Sequence, residues 1–357
     1  MSRLFHLIAL NMIVIVTVPC LAGEVVEFRD QKENQRTVNG EILVEAQNGG
    51  LMLQGDDGRI WMIQPEQIIN RESTAKAMPP ADPEIVSQRL IDELGPGFAI
   101  YKTQNYLIAY NCNENYVQRV GALFEQLHRG FFTFWSNQKW ELTEPTYPLV
   151  AVVLKNHDSF LDYAQNDIGD MANSVIGYYH LSSNRMTTFN VPNWERNVAT
   201  IIHEATHQLA YNTGMQKRFA DNPMWVSEGL ATFFESPDMR NPGRWRSIGR
   251  VNQINLARWR KYIRNRPEES LMTLLADDQR FRNPPSVADA YAEGWAMTYF
   301  LIRTRRDEYV EYLRELSTGK PLAERTRRER IEMFESIMGE PLVKIDKAFT
   351  DYMRRVR

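Results

Sequence analysis

Cysteine is nearly missing from this chain, with Cys20 and Cys112 the two examples in 357 residues. Cys20 falls in an N-terminal segment that reads as a removable address, which leaves Cys112 alone. A single thiol closes no internal disulfide, and it excludes any zinc site built on cysteine. No histidine stands near Cys112 in sequence, so it reads as a quiet thiol rather than a nucleophile. A strong charge of either sign is missing too: the net charge is -3, which gives no reason to expect a nucleic-acid partner. Arginines do gather between Arg240 and Arg266 and again from Arg325 to Arg330. Both groups read as solvated helix faces with glutamate partners nearby.

Long apolar runs are also scarce. The main one opens the chain, LFHLIALNMIVIVTV after Arg3, and His6 and Asn11 interrupt it. It falls short of the roughly 20 residues that a spanning helix wants. PCLAGEVV follows, with Ala22 as the small residue before a cut, so residues 1–22 read as a secretory signal peptide. That predicts a periplasmic or secreted protein with no stable membrane span after cleavage; an uncleaved anchor is the other reading. Pro19 directly before Cys20 fits a lipoprotein cleavage site poorly. Internal repeats and low-complexity tracts are absent from the sequence.

What is present is an ordinary globular composition, 43% hydrophobic and 24% charged, long enough for two or three domains. In residues 24–72, VNGEILVEA, LMLQ and RIWMI are separated by QNGG and GDDG. Asn-Gly and Asp-Gly between apolar alternations predict hairpins, and residues 23–75 read as a small β-barrel or SH3-like module. The stretch NRESTAKAMPPADPE reads as a linker, and 76–98 as linker plus lead-in helix. In the remaining 99–357, YLIAYN and LVAVVLK read as strands, and Val117, Val120, Leu123, Phe124 and Leu127 keep helical spacing. VIGYYHLSSNRMTTFNV reads as two strands around a Ser-Ser-Asn turn, with SNRMTTFN as an edge strand. An α/β part (99–196) then gives way to a helical part (197–357). The expected fold class is α+β.

The chemistry concentrates in NVATIIHEATHQLAYNTG, residues 197–214. Positions four apart share one helix face, so His203 and His207 can both face one ion, with Glu204 beside them in reach of a water at that ion. Val198, Ile201, Ile202, Ala205 and Leu209 would pack this helix rigidly. Catalytic zinc needs three protein ligands and an open position. Glu228, in NPMWVSEGLATFFES, stands 21 positions after His207 on its own helical pattern. A helix, a turn and an antiparallel helix would return it to the histidines. Glu235, Asp289 and Glu293 are candidates to accept a histidine's second N–H. His128, His157 and His180 read as ordinary structural or surface residues, with His180 as the one alternative.

HEATH followed by WVSEG resembles the gluzincin zinc metallopeptidases, in particular the aminopeptidase N family with its HExxH and W-x-x-E-G pair. DAYAEGWAMTYFL, residues 289–301, is similar to that family's Y-x-K-G helix start. The resemblance spans about residues 100–350 in order of elements, with its specific matches in these three motifs. It implies a thermolysin-like catalytic domain holding one Zn²⁺ on His203, His207 and Glu228. Glu204 would be the general base, and Tyr291 would donate to the oxyanion. Three departures stand out: the spacing to the third ligand is slightly longer, Glu293 replaces the family's lysine, and no G-x-M-E-N segment is present. That segment's glutamate binds the substrate amine, so strict aminopeptidase activity is not expected. The pattern is closer to secreted bacterial gluzincin-like proteins of unassigned substrate. The expected activity is hydrolysis of peptide bonds in a peptide or protein. An amidase acting on peptidoglycan or another amide, and a non-catalytic zinc scaffold, are the alternatives.

Overall fold

The computed structural model of the protein describes residues 23–236, 245 and 248–357. The expected signal peptide, and Arg240, Arg244 and Arg246 of the first arginine group, lie outside them. The chain divides into two compact units, the second beginning at Pro83. In the first, β1 (Glu24–Arg29), β2 (Gln35–Glu45), β3 (Leu51–Gly55), β4 (Ile60–Ile63) and β5 (Ile68–Ser73) form one antiparallel sheet in the order β4-β3-β2-β1-β5. Gly49 and Gly58 take positive φ in the β2–β3 and β3–β4 turns, the conformation for which glycine is suited. Val26, Phe28, Leu51, Leu53 and Ile63 make its small core.

The second unit opens with α1 (Pro83–Leu94), β6 (Ala99–Lys102), β7 (Tyr106–Tyr110), α2 (Glu114–Asn137), β8 (Leu149–Leu154) and α3 (His157–Ile168). It continues with β9 (Gly177–His180), β10 (Arg185–Phe189) and α4 (Trp194–Asn212). The sheet order is β6-β7-β8-β10-β9, with β7, β8 and β10 parallel and the outer strands antiparallel to them. Strand β8, LVAVVL, is buried throughout because helices cover both faces. Leu149, Ala151 and Val153 join the core under α2 and α4, whereas Val152 and Leu154 join the one under α3.

One expectation fails here. SNRMTTFN is not an edge strand: β10 is flanked by β8 on one side and β9 on the other. The chain turns through Asn184, at φ 58°, so that β9 lies outside β10 and supplies the free edge. Both strands carry apolar and hydroxyl side chains, and nothing in the local pattern says which one ends the sheet.

The helical half comprises α5 (Met224–Phe234), α6 (Gln253–Tyr262), α7 (Ser270–Ala276), α8 (Gln279–Arg282) and α9 (Val287–Thr304). It ends with α10 (Arg306–Ser317), α11 (Arg327–Met338) and α12 (Leu342–Met353). The protein is therefore mixed α+β. No described helix is long and apolar enough to cross a membrane.

Two packing details fix the later geometry. On α4, Val198, Ile201, Ile202, Ala205 and Leu209 are all buried, and Gln208 donates to the carbonyls of Val150 (2.9 Å) and Asn184 (3.0 Å), which ties the helix to the sheet. Helices α5 and α9 approach backbone to backbone at Gly229, where an added Cβ would lie 2.8 Å from the Gly294 carbonyl oxygen. The glycine of WVSEG is thus the point at which two site-bearing helices touch.

Candidate metal centre

His203, Glu204 and His207 sit in the middle of α4, Glu228 on α5 and Tyr291 in the first turns of α9. The side chains of His203, His207 and Glu228 are 15%, 12% and 14% exposed, enough for contact with a cleft and too little for free rotation. The two Nε2 atoms are 3.3 Å apart. Glu228 places Oε2 3.2 Å from His203 Nε2 and Oε1 3.7 Å from His207 Nε2. A tetrahedral ion with bonds of about 2.0–2.1 Å holds its ligands about 3.3 Å apart, so these edges match such a set. Among the described residues this is the one group of three or more such side chains close enough to share a metal ion.

The tautomer of His203 agrees with that role. Its Nδ1 lies 2.9 Å from Glu235 Oε2, and an N–H donated there leaves the Nε2 lone pair facing His207 and Glu228. Glu235 is held in turn by Asn252, whose Nδ2 donates to Oε1 at 3.2 Å and whose Oδ1 caps α6. Of the three candidate acceptors, Glu235 takes the part. Glu293 is fully buried elsewhere, taking 2.7 Å bonds from Arg266, Arg280 and Ser270 in a structural cluster. Among the described residues Asp289 hydrogen-bonds to neither histidine.

Charge coupling inside the group is strong. Burial opposes a charge on His203, yet its bonds to Glu228 and Glu235 outweigh that and raise the imidazole well above its ordinary value. Burial likewise opposes the Glu228 carboxylate, and the two histidines override it, holding it well below the usual range.

Glu204 lies close enough to His203, His207 and Glu228 to feel their charge, and the backbone N–H of Tyr179 on β9 donates to its Oε2 at 2.9 Å. Burial raises its carboxyl, and the neighbouring histidines pull it back only in part. Tyr291 has its ring 5.4 Å from Phe281. Burial, then the charge of Glu228 and a hydrogen bond to it, push its phenol far up, so it faces the site as a donor rather than a phenolate. Trp225 of WVSEG is fully buried, stacked on Tyr312, and anchors α5 from behind.

The structure therefore brings together His203, His207, Glu228, Glu204 and Tyr291, as the motif spacing requires. It leaves His128 buried near Glu144, His157 against Phe189, and His180 beside Ser183 and Asp167. Two features were missed in sequence. One is the Tyr179 N–H on Glu204, which only the fold discloses. The other is Tyr211, stacked on Tyr179 with ring centroids 5.7 Å apart. Tyr211 lies one turn beyond His207 on the same helix face, so the spacing that found the histidines also points to it.

The fold and site thus define an α+β protein with a two-histidine, one-carboxylate group able to hold a metal ion. Residues 197–323 match the model of a family described as "Protein of unknown function (DUF1570)". The matched span runs from the first turn of α4 past α10 and contains all five of these residues. No curated protein matches the chain.

Proposed function

We propose that the protein is an exported, zinc-dependent peptidase of gluzincin type, with a thermolysin-like catalytic domain that follows a small β-barrel module. The reading rests above all on the ligand triangle formed by His203, His207 and Glu228, with edges of 3.2, 3.3 and 3.7 Å. Two imidazoles and a carboxylate with an open side are a known catalytic zinc set. His203, His207 and Glu228 would hold the zinc ion, which would supply a Lewis acid for a substrate carbonyl and for a water.

The protein's own groups supply the rest. Glu204, a buried carboxylate whose pKa is raised, accepts the proton of the attacking water and hands it to the leaving amine, a role worth about 10²–10⁴-fold. Tyr291 keeps its proton and donates to the developing oxyanion, where one such donor is commonly worth on the order of 3 kcal/mol. The free edge of β9 lies beside Glu204, which the Tyr179 N–H holds, and an extended peptide would pair along that edge. Neither β9 nor β10 bears an acidic residue to hold a substrate amine, which favours endopeptidase over strict aminopeptidase action.

Purified Glu204→Gln tests the reading. It should retain zinc and lose hydrolysis of casein or a peptide library, because only the proton shuttle is removed. Equal cleavage by wild type and variant would sink the mechanism. Digestion of purified sacculi without cleavage of unfolded protein would assign the same site to peptidoglycan amides instead.

A further inference from the structure

The two arginine groups differ in a way that composition does not disclose. From Arg325 to Arg330 the cations are spent on the fold: Arg325 and Arg330 pair with Asp221, Arg330 also with Asp278, Arg327 with Asp277, and Arg328 with Glu332. The described part of the other group has no such partners. Arg258, Arg260, Lys261 and Arg264 are all exposed, and among the described residues none has a carboxylate within ion-pair distance. Arg266, at the end of the same run, is the exception, pinned between Glu293 and Asp346. The expected glutamate partner is found at Arg328, with Glu332, and at Arg266, with Glu293; Arg325, Arg327 and Arg330 pair with aspartates instead, and Arg330 is buried rather than solvated.

Arg258 and Lys261, three positions apart, lie on the outward face of α6, whereas Arg260 lies at its flank. Leu256 and Trp259 point into the core, Trp259 with its ring 4.9 Å from Phe349, so Arg258, Lys261 and Arg264 turn outward. Arg260 donates to the carbonyl of Val356 at 2.8 Å, which brings the turn after α12, with exposed Arg355, beside the same surface. Ile254, one turn before Arg258, stands 58% exposed in line with them. The surface is rigid, because α6 is capped by Asn252 and its far end is anchored through Arg266.

We propose that the outer face of α6, together with the turn at Arg355, is a docking surface for an anionic phospholipid bilayer. Four of its five cations are guanidinium groups, whose planar forks match phosphate oxygens and whose hydration is weak. An unpaired cluster of this size costs self-repulsion in a monomer, and phosphate headgroups relieve it. Ile254 reaches the depth of the headgroup–acyl boundary when the cations meet the phosphates. None of these cations is a metal ligand, so the proposal does not depend on the catalytic reading.

The test is co-sedimentation of the full chain with vesicles. Phosphatidylcholine alone is compared with equal parts phosphatidylcholine and phosphatidylglycerol, at low and high salt. Wild type and variants carry the same N-terminal apolar run, so any insertion of it is common to both and cancels in their comparison. Wild type should prefer the anionic vesicles by about a hundredfold or more, and high salt should abolish the preference. Arg258→Gln/Lys261→Gln/Arg264→Gln should lose about a hundredfold in anionic-vesicle affinity, at about fivefold per cation. Arg327→Gln/Arg328→Gln should stay within twofold of wild type. Thermal melting checks that each variant is folded, and Arg355→Gln alone, expected to lose about fivefold, repeats the test with one exposed change. Equal wild-type binding to both vesicle types, or a triple variant that binds like wild type, overturns the proposal. So does charge-dependent retention on a soluble polyphosphate without any vesicle preference.

Discussion

Gly229→Ala perturbs the metal centre without touching a ligand. The added Cβ would stand 2.3 Å from the Thr298 hydroxyl and 2.8 Å from the Gly294 carbonyl oxygen. Rotation about Thr298 χ1 relieves the first contact, but the second is backbone against backbone. Non-bonded heavy atoms settle at about 3.5 Å or more, so α5 and α9 must part by roughly 0.7 Å. Overpacking of this kind costs about 1–3 kcal/mol. The gain in helix propensity from glycine to alanine returns about 1 kcal/mol. The expected net is a loss of up to about 2 kcal/mol, a fall of a few degrees in Tm for a unit of this size. Function should suffer more than stability, because Glu228 rides on α5 and Tyr291 on α9. A misplacement near 1 Å can cost about a hundredfold in turnover. The companion change separates cause from coincidence: at Gly294 an added Cβ meets its nearest neighbours at 3.5–3.7 Å, ordinary contact. Gly294→Ala should therefore melt at or above the wild-type temperature and keep its activity. Chelator competition gives the metal affinity and a quenched-peptide assay gives turnover. If Gly229→Ala matches wild type within twofold in both, the close helix approach does not set the site, and the argument fails.

Glu235→Ala should weaken metal binding by about 10–100-fold, since it removes the acceptor that orients His203, while Glu235→Gln keeps an acceptor and should lose less. Chelator competition measures both, and an unchanged affinity in the alanine variant would remove Glu235 from the site. Burial pushes the Cys112 thiol up to about 11, because it opposes the charged thiolate. At pH 8 that leaves about one molecule in a thousand ionised, against about one in four for an ordinary thiol. In chain carrying Cys20→Ser, alkylation of the folded protein should be slow at pH 8 and rise about tenfold per unit toward pH 10; a rate at pH 8 equal to that of a small free thiol contradicts it.

How much of this was legible in advance depends on whether the information is local. The pairing of His203 with His207 follows from helix geometry alone, and the five apolar positions that fix α4 follow from its period. Glu228 and Tyr291 were located by motif, and the physical reason for their glycines came only with the structure: at Gly229 one helix backbone rests on another. What stayed hidden is non-local. Whether β9 or β10 ends the sheet depends on a turn at Asn184 and on which strand finds β8 first. Glu235, Asp289 and Glu293 were equal candidates because each lies within a few turns of the site in sequence. The fold separates them by what else they meet: Glu293 finds two arginines, and Glu235 finds a histidine already committed to a second carboxylate.

The same logic explains the arginines. Asp221, Asp277 and Asp278 come from distant segments to neutralise α11 and its lead-in, whereas among the described residues no carboxylate pairs with Arg258, Lys261 or Arg264. A buried carboxylate such as Asp221 needs its arginine, since removing one member of a buried pair commonly costs about 3–5 kcal/mol. An exposed arginine needs no carboxylate to fold, so stability places no demand for several of them together. Charges that the fold requires are found paired, as around Arg330 and Arg266. Arg258, Lys261 and Arg264, which have no carboxylate partner among the described residues, therefore answer to something outside that part of the fold, and an anionic surface is the partner their chemistry suits.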